Sequence, residues 1–186
     1  MTITLNDLQP FCSTDDFRPH LNRPFNSGGY TYATNGHILV RIPAIEGVAG
    51  CELLEVNDIV HQKFTTDLKF STARMRTLDV SRLTHNEKCD ACDGTGREHE
   101  CPNCHCKCLE CDGTGKMPGK WPIVKIGGFC FQGYYVKLMQ SFGDVSISPA
   151  QSPKNPLSFY FEGGEGLLLP YRSETHEFEA ELESIT

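Results

Sequence analysis

The amino-acid sequence predicts an α+β domain interrupted by an irregular, cysteine-rich insertion, and three observations carry that prediction. A strand–helix–strand–strand–strand succession is indicated over residues 123–171. Two β-rich runs flank Asn35-Gly36 near the N-terminus. Seven of the ten cysteines fall between Cys89 and Cys111. The length of 186 residues suits one ordinary domain with an insertion better than two full-sized domains.

The first predicted element is a short helix over residues 2–12. Its apolar residues recur at helical spacing, and Thr4 or Asn6 can cap it. Pro10 makes its end short or irregular, because proline lacks the N–H that a continuing helix needs.

A β-hairpin is predicted over Tyr30–Ile42. Asn35-Gly36 lies at its centre, and Asn-Gly is the pair that best tolerates positive φ at both central positions of a type I′ turn. The sequence therefore predicts a two-residue turn of that type.

The remaining elements follow from the periodicity of apolar residues and from paired glycines at turns. We predict a helix over 53–64 capped by Asn57, an extended or loop segment over 65–88, strands over 123–126 and 129–131 around Gly127-Gly128, a helix over 134–142, and strands over 145–148, 157–161 and 166–171, the last after a turn at Gly163-Gly164. In the later helix, the residues expected to face inward are Tyr135, Leu138, Met139 and Phe142.

The charge and the lack of long apolar runs predict where in the cell the protein is found. The formal net charge is −7, and residues 173–186 form an acidic tail with five Glu and no Lys or Arg. No stretch approaches the run of about 18 uncharged apolar residues that a membrane span needs. The N-terminus lacks a basic region followed by an apolar run, so we expect no secretory signal, no membrane contact and a cytoplasmic location.

Nucleic-acid binding has limited support in the charge pattern. An acidic chain is not a typical non-specific nucleic-acid binder, because phosphate contacts dominate that affinity. Segment 58–88 is mildly basic and could touch a phosphate backbone, although a solvated mixed-charge surface is the favoured alternative. The candidate nucleic-acid-binding residues are Lys63, Lys69, Arg74, Arg76 and Arg82.

The cysteine block has the pattern of a metal-thiolate site. In a reducing compartment such density indicates metal ligands rather than disulfides. Three Cys-x-x-Cys pairs are present, and two of them continue into the same Asp-Gly-Thr-Gly, an internal repeat across 19 residues. Each pair lets one tight turn aim two thiolates at one metal. The isolated Cys12, Cys51 and Cys130 are interpreted as small buried hydrophobes.

Counting ligands predicts two zinc ions per chain, because structural zinc takes four N or S ligands in a tetrahedron. The two repeated pairs give the first site: Cys89, Cys92, Cys108 and Cys111. The intervening residues give the second: His99, Cys101, Cys104 and Cys106. His105 is the alternative fourth ligand, but between Cys104 and Cys106 it would have to point away from the metal that they bind.

A closed, structural role is predicted for these sites. His99-Glu-Cys101-Pro-Asn-Cys104 superficially resembles the deaminase pattern, but its Glu directly follows the His. Eight ligands for two metals leave no vacancy for a substrate. A dithiol redox switch is disfavoured, because such motifs occur singly at a helix start. Without a nucleophile–base constellation elsewhere, we expect the protein not to be an enzyme.

The block Cys89–Gly115 resembles the cysteine-rich region of DnaJ co-chaperones, whose Cys-x-x-Cys-x-Gly-x-Gly motifs bind two zinc ions. In that family the first and last motifs share one metal and the middle two share the other, which implies the same pairing here. The likeness covers about 27 residues, and the chain has no His-Pro-Asp tripeptide. Binding of unfolded protein is the activity that this resemblance implies.

The surrounding domain resembles a second family. Ala33-Thr-Asn-Gly-His-Ile-Leu39 is similar to the Ala-Thr-Asp-Gly-His-Arg-Leu hairpin of bacterial sliding clamps, and the run that ends Leu168-Leu-Pro-Tyr-Arg172 resembles the close of a clamp domain. This resemblance implies a clamp-like fold and assembly into a ring. The whole arrangement is similar to uncharacterised proteins of bacterial viruses and prophages, which would place it in a host bacterial cytosol.

The predicted organisation is a clamp-like domain over 1–88 and 117–172, a two-zinc insertion over 89–116 and an acidic tail over 173–186. The function favoured by the sequence is a non-catalytic, phage-type interaction protein that contacts a host or replication protein. The alternatives are a clamp-like replication accessory that forms a homo-oligomer at DNA, and DnaJ-like binding of unfolded protein. An enzyme using zinc or carboxylates ranks below the interaction protein and the clamp-like accessory.

Overall fold

The computed structural model describes residues 2–14, 18–50, 73–76, 78, 86–97, 107–111, 113–118, 121–148, 150, 152, 154–176 and 178–184. The chain divides into two compact units. The first comprises Met1–Leu78 with Ile123–Thr186, and the second comprises Asp79–Pro122. Within the described residues the fold is mixed and mostly β, with few and short helices, as an α+β chain should be.

The first unit contains two sheets built from most of the strands. Its helices are α1 (Leu5–Leu8) and α2 (Gly133–Gln140), with 3₁₀ turns at Gln9–Phe11 and Pro19–Leu21. Its strands are β1 (Phe25–Ser27), β2 (Tyr30–Thr34), β3 (Ile38–Pro43), β4 (Ala73–Met75), β7 (Ile123–Ile126), β8 (Phe129–Gln132), β9 (Val145–Ser148), β10 (Leu157–Phe161), β11 (Gly164–Leu168), β12 (Phe178–Glu179) and β13 (Leu182–Ser184). The second unit contributes β5 (Asn86–Lys88), β6 (Lys116–Pro118) and a 3₁₀ turn at Asp90–Cys92.

The larger sheet has the strand order β1-β2-β3-β11-β10-β9-β4-β13, and neighbouring strands are antiparallel throughout. The smaller sheet has the order β12-β7-β8, in which β12 runs parallel to β7. In the second unit β5 pairs with β6 in antiparallel register. The fully buried side chains of the first unit include Phe11, Tyr32, Phe131, Ile147 and Phe159.

The N-terminal helix is short and ends irregularly, as its sequence predicts. Thr4 is its N-cap, and both its backbone N–H and its hydroxyl donate to the Asp7 carboxylate, at 2.8 and 2.7 Å. The chain then tightens into a 3₁₀ turn that contains Pro10. The Cys12 N–H donates to the Gln9 carbonyl and closes this turn.

The hairpin of β2 and β3 is confirmed, but the type I′ turn is wrong. Thr34 pairs with Leu39, so the turn is longer than two residues. Gly36 has a φ of 91°, whereas Asn35 is not among the residues with positive φ. The Asn35 side chain instead accepts hydrogen bonds from the N–H groups of His37 (2.9 Å) and Ile38 (3.2 Å). This Asx turn replaces the left-handed conformation that the dipeptide alone favours.

The later strands lie close to their predicted positions. Gly127 and Gly128 both have positive φ and join β7 to β8, as expected of a two-residue hairpin. The turn predicted at Gly163-Gly164 is wrong by one residue, because Phe161 already pairs with Gly164. The strand predicted over 166–171 accordingly begins at Gly164 and ends at Leu168.

The buried face of α2 differs from the predicted one. Val136 and Met139 are fully buried, while Tyr135 and Leu138 are only half-buried. The predicted face was therefore wrong for those two residues. Phe142 packs as expected, because its ring stacks on Phe161 with centroids 3.9 Å apart.

The acidic segment at the C-terminus contributes a strand to each sheet. Residues Phe178–Glu179 lie parallel to β7, and Leu182–Ser184 lie antiparallel to β4. Ion pairs accompany both pairings: Glu179 with the half-buried Lys125 at 3.0 Å, and Glu181 and Glu183 with Arg76 at 2.9 and 2.6 Å. The segment thus forms the β13 edge of the larger sheet.

The helix predicted over 53–64 lies outside the described residues. Among the helices that the structure does describe, none is both long enough and apolar enough to cross a bilayer.

Candidate metal centre

Two cysteine-containing turns of the second unit are built in the same way. In the first, a 3₁₀ turn over Asp90–Cys92 ends at Asp93, which adopts a left-handed conformation with a φ of 50°. Gly94 and Gly96 follow with φ of 76° and 72°. The second turn carries Gly113 and Gly115 at φ of 77° and 70°. Glycine is suited to these positions, because a Cβ disfavours positive φ.

The two turns bring four thiols together. The sulfur atoms of Cys89, Cys92, Cys108 and Cys111 all lie within 4.8 Å of one another. Two of the sulfur–sulfur distances between the turns are 3.9 Å, for Cys89 to Cys108, and 3.7 Å, for Cys92 to Cys111. Four sulfurs at about 2.3 Å from a tetrahedral zinc would be about 3.8 Å apart. The spacing therefore fits a metal centre and is far too long for disulfides.

Backbone N–H groups point at one sulfur in each turn. Gly96 N–H donates to the Cys92 sulfur and Gly115 N–H donates to the Cys111 sulfur, both at 3.2 Å. Such hydrogen bonds stabilise thiolate over thiol and orient the ligand toward the metal.

Threonine side chains fix the shape of the same turns. The Thr95 hydroxyl donates to the Cys92 carbonyl and the Thr114 hydroxyl donates to the Cys111 carbonyl, both at 2.7 Å. The repeated Asp-Gly-Thr-Gly therefore has a structural explanation: threonine holds the turn while glycine supplies its conformation.

Reciprocal hydrogen bonds join the two turns. Cys89 N–H donates to the Gly115 carbonyl at 3.1 Å, and Cys108 N–H donates to the Gly96 carbonyl at 3.0 Å. Because each bond is the image of the other across the 19-residue repeat, the centre has approximate two-fold symmetry.

The four thiols are buried, and burial together with close packing shifts the pKa values of Cys89 and Cys92. Their residues are between 0% and 6% exposed. Burial raises the pKa of the Cys89 thiol to about 12. At Cys92 burial acts in the same direction, but the Gly96 N–H and the neighbouring thiols outweigh it and lower the pKa to about 6. A divalent cation would replace the protons in such a cluster, because metal ligation requires thiolates.

Basic side chains flank the centre at repeated positions. Lys88 is the cross-strand partner of Lys116, and Arg97 is the bridge partner of Lys107. Opposed like charges ordinarily destabilise a strand pair. Here they flank a centre that would carry a net charge of about −2 with four thiolates and one divalent metal. Lys88 also pairs with Asp93.

Those flanking cations were missed in the sequence. The repeat extends one residue beyond the cysteine motif on each side: Lys88 and Lys107 precede the two repeated Cys-x-x-Cys pairs, and Arg97 and Lys116 follow the last glycine of each copy. Aligning the two copies over this longer window would have found them.

The other predicted ligands and cysteines have different outcomes. The second zinc site, His99, Cys101, Cys104 and Cys106, lies outside the described residues, as does His105. Its prediction therefore stays a prediction. Cys12 is buried as expected, Cys130 is only partly buried, and Cys51 lies outside the described residues.

The two candidate nucleic-acid-binding residues that the structure describes both pair with acidic side chains. Arg74 pairs with Asp144, and Arg76 pairs with Glu181 and Glu183. Lys63, Lys69 and Arg82 lie outside the described residues.

Comparisons with known proteins add no further assignment: no family model, no curated protein and no solved structure matches the chain.

Proposed function

We propose that the chain is a non-catalytic interaction protein, in which zinc bound by Cys89, Cys92, Cys108 and Cys111 holds a protein-binding finger in shape. The finger is defined here as residues 86–118. The observation that carries the proposal is the geometry of the four buried thiols, whose spacing matches the edges of one tetrahedron. All four positions around the metal are then filled by protein.

Zinc is the metal that best suits this ligand set. Four thiolates form a soft environment, which favours zinc over the oxygen-seeking magnesium and calcium. A catalytic zinc keeps one position for water or substrate, whereas a site with four protein ligands is closed. This closure supports a structural role.

Among its described residues the finger has little core besides the four cysteines, which supports a need for the metal. Wherever its burial is described, the buried residues are the four cysteines with Gly96 and Gly115. The cysteines form their own buried cluster, without a larger apolar side chain in it. A segment with so little apolar burial depends on metal binding for its folding free energy.

A protein partner is favoured over nucleic acid by two features. Arg74 and Arg76 are already paired with acidic side chains, which reduces their availability to phosphate. Leu109, between Cys108 and Cys111, is 86% exposed and presents an apolar side chain at the finger turn. Exposed leucine next to a rigid turn offers a contact to an apolar pocket of a partner.

We further propose that the protein is of phage type and that it holds a second zinc ion. The second set of ligands is His99, Cys101, Cys104 and Cys106, which would give two zinc ions per chain. This set should also prefer zinc, because three of its four ligands are thiolates.

Cobalt substitution tests the closed site. The metal-free protein is titrated with Co²⁺ under reducing conditions, and the d–d and thiolate-to-metal absorption bands are recorded. We expect bands typical of tetrahedral thiolate coordination that do not change when azide or cyanide is added at modest excess. Bands that shift with these anions would show an open coordination position and would contradict the structural role.

A photo-crosslinking amino acid at position 109 tests the partner contact. We expect cross-links to a discrete protein in the zinc-loaded state that disappear when the chelator has removed the metal. The matched control is position 169, where Leu169 is 46% exposed in the first unit. Equal cross-linking from both positions would contradict a finger-specific contact, without bearing on the cobalt result.

A further inference from the structure

A cleft in the first unit lies outside the metal centre and is lined by residues from four segments. Its volume is about 380 Å³, within the range typical of small-molecule sites. The lining comes from the N-terminal 3₁₀ turn and the residues after it, from Arg18, from the β2–β3 turn and from the first turn of α2. Side chains distant in sequence thus converge on one concave surface.

An aromatic platform forms one wall of this cleft. The His37 ring stacks on the Tyr135 ring, with centroids 5.5 Å apart and an angle of 12° between planes. Tyr134 packs its edge against Tyr135 at 5.3 Å and 64°. His37 is exposed, whereas both tyrosines are half-buried. The tyrosines therefore hold the stack in place, and the imidazole is its accessible ring.

A cation lies beside the platform. Arg18 lines the cleft, and its guanidinium lies so close to Gly36 that a Cβ on Gly36 would be 2.8 Å from Nη1. Gly36 is the residue before His37, and Arg18 and His37 both line the cleft, so the positive charge lies on the same concave surface as the exposed imidazole. Asn35, Ser13 and Gln9 add hydrogen-bonding groups to the lining.

The cleft has binding groups but lacks an activated nucleophile among the described residues. Cys12 is the thiol in its lining, and burial raises its pKa to about 11. A neutral, buried thiol is a poor nucleophile. The arrangement therefore suits recognition of a ligand rather than covalent chemistry on it.

We propose that this cleft binds a nucleoside phosphate, with the base stacked on the face of His37 that is turned away from Tyr135 and the phosphate paired with Arg18. Stacking on an aromatic side chain is the usual way in which proteins hold an unpaired base. Arginine matches phosphate geometry with two parallel donors. The same chemistry is offered by a free nucleotide and by one nucleotide of a single strand. It does not depend on the zinc site.

The test is a titration of the zinc-loaded full-length protein with adenosine 5′-monophosphate, with adenosine and with a ten-residue oligodeoxyadenylate, followed by calorimetry and by NMR shifts. We expect saturable binding of the monophosphate and at least about tenfold weaker binding of adenosine, because the phosphate contact is missing. If the oligonucleotide binds more tightly than ten independent nucleotides would, the ligand is a single strand. If its affinity per nucleotide equals that of the monophosphate, the ligand is a free nucleotide.

Matched variants locate the binding. We expect His37→Ala to weaken the monophosphate by about five- to tenfold or more, and His37→Phe to restore it, because stacking on a base needs a planar ring. Arg18→Gln should weaken the binding of the monophosphate but not that of adenosine. The losses of affinity on removing the cation and on removing the phosphate are therefore not additive. The controls are His176→Ala and Arg172→Gln, both exposed and outside the cleft lining.

Two results would overturn the proposal. One is the absence of saturable binding of any of the three probes. The other is binding that His37→Ala and Arg18→Gln affect no more than their controls do, since the ligand would then lie elsewhere.

Discussion

Gly96 packs so tightly against Gly113 that a Cβ on Gly96 would lie less than 3.0 Å from the Gly113 carbonyl oxygen. The symmetric partner shows the same relationship, because a Cβ on Gly115 would meet the Gly94 carbonyl oxygen at less than 3.0 Å. At these two points the turns therefore contact each other through backbone. This close approach allows the four thiols to converge, and it explains why glycine ends both copies of the repeat.

Gly96→Ala should disrupt the metal centre. The new methyl group has to displace backbone of the other turn, so we expect the zinc affinity, measured by competition with a chelator, to fall by about tenfold or more. Gly113→Ala is the control, because its φ of +77° resembles the +72° of Gly96 while its neighbour is the flexible Lys107 side chain. Equal losses in the two variants would show that positive φ, and not the close approach, requires the glycine.

Arg41→Ala should be among the most destabilising substitutions of a charged residue. Arg41 is 4% exposed, and its Nε and Nη2 donate to Glu165 Oε1 at 2.8 and 2.6 Å. Its guanidinium also lies 4.3 Å from the centre of the Tyr30 ring. Removing one partner leaves a largely buried carboxylate, which costs about 3–5 kcal/mol of unfolding free energy.

Arg74→Ala provides the comparison for that variant. Its ion pair with Asp144 is exposed, with 53% and 77% of the two side chains accessible. We expect a loss of at most about 1 kcal/mol, measured by urea denaturation under the same conditions. A loss at Arg41 as small as this one would contradict the burial of the Arg41–Glu165 pair.

Hydrogen exchange should show that the acidic C-terminal segment is part of the sheets. Ala180 N–H donates to the Lys125 carbonyl at 2.8 Å, and Arg76 N–H donates to the Glu181 carbonyl at 3.1 Å. We therefore expect both amides to exchange more slowly than those of unstructured peptides, as measured by NMR or mass spectrometry. The amide of the exposed Lys154, which donates to the nearby Ser152 hydroxyl at 3.3 Å, is the fast-exchanging comparison. Equal rates at Ala180 and Lys154 would contradict the placement of β12.

Cys12 should contribute a pH dependence in the alkaline range. Burial raises its pKa from the model-compound value of 9.0 to about 11 in the folded protein, with a backbone hydrogen bond involving Thr34 acting in the opposite direction. Because the folded-state pKa is the higher one, the stability associated with the neutral thiol is fully present below pH 9 and is lost as the pH rises through 11. The other cysteines contribute equally to the pH dependence of wild type and of Cys12→Ala, so their contributions cancel when the two proteins are compared.

The measurement is the difference in unfolding free energy between these two proteins. We expect this difference to be constant from about pH 7 to about pH 8. Between about pH 9 and about pH 11 we expect wild type to lose unfolding free energy relative to Cys12→Ala. A difference that does not vary with pH over this range would show that Cys12 is not shielded from water.

The metal centre was predictable because its information is local. Cys89 and Cys92 belong to one turn and Cys108 and Cys111 to its copy, so spacing and repetition alone indicated that they share a metal. The β7–β8 hairpin was predictable for the same reason, since Gly127-Gly128 by itself specifies the turn.

The parts that could not be predicted depend on distant partners. Strand β13 pairs Leu182–Ser184 with Ala73–Met75, about a hundred residues away in the sequence. The segment does alternate Glu with Phe178, Ala180 and Leu182, a strand-like pattern that was missed, but this alternation cannot indicate which strand is its partner. The cleft brings Arg18 and His37 to Tyr135 across about a hundred residues of sequence, so no local pattern indicates it. At the β2–β3 turn, the hydrogen bonds of Asn35 override the intrinsic preference of Asn-Gly.

The central claim is that Cys89, Cys92, Cys108 and Cys111 hold zinc, and the most direct measurement is native mass spectrometry with metal analysis of the same sample. Wild type, Cys92→Ser and the control Cys130→Ser are compared, since Cys130 lies outside the cluster. We predict two zinc ions per chain for wild type and Cys130→Ser, and the loss of one from Cys92→Ser. A wild-type protein without zinc, or a Cys92→Ser variant that retains as much zinc as wild type, would contradict the account.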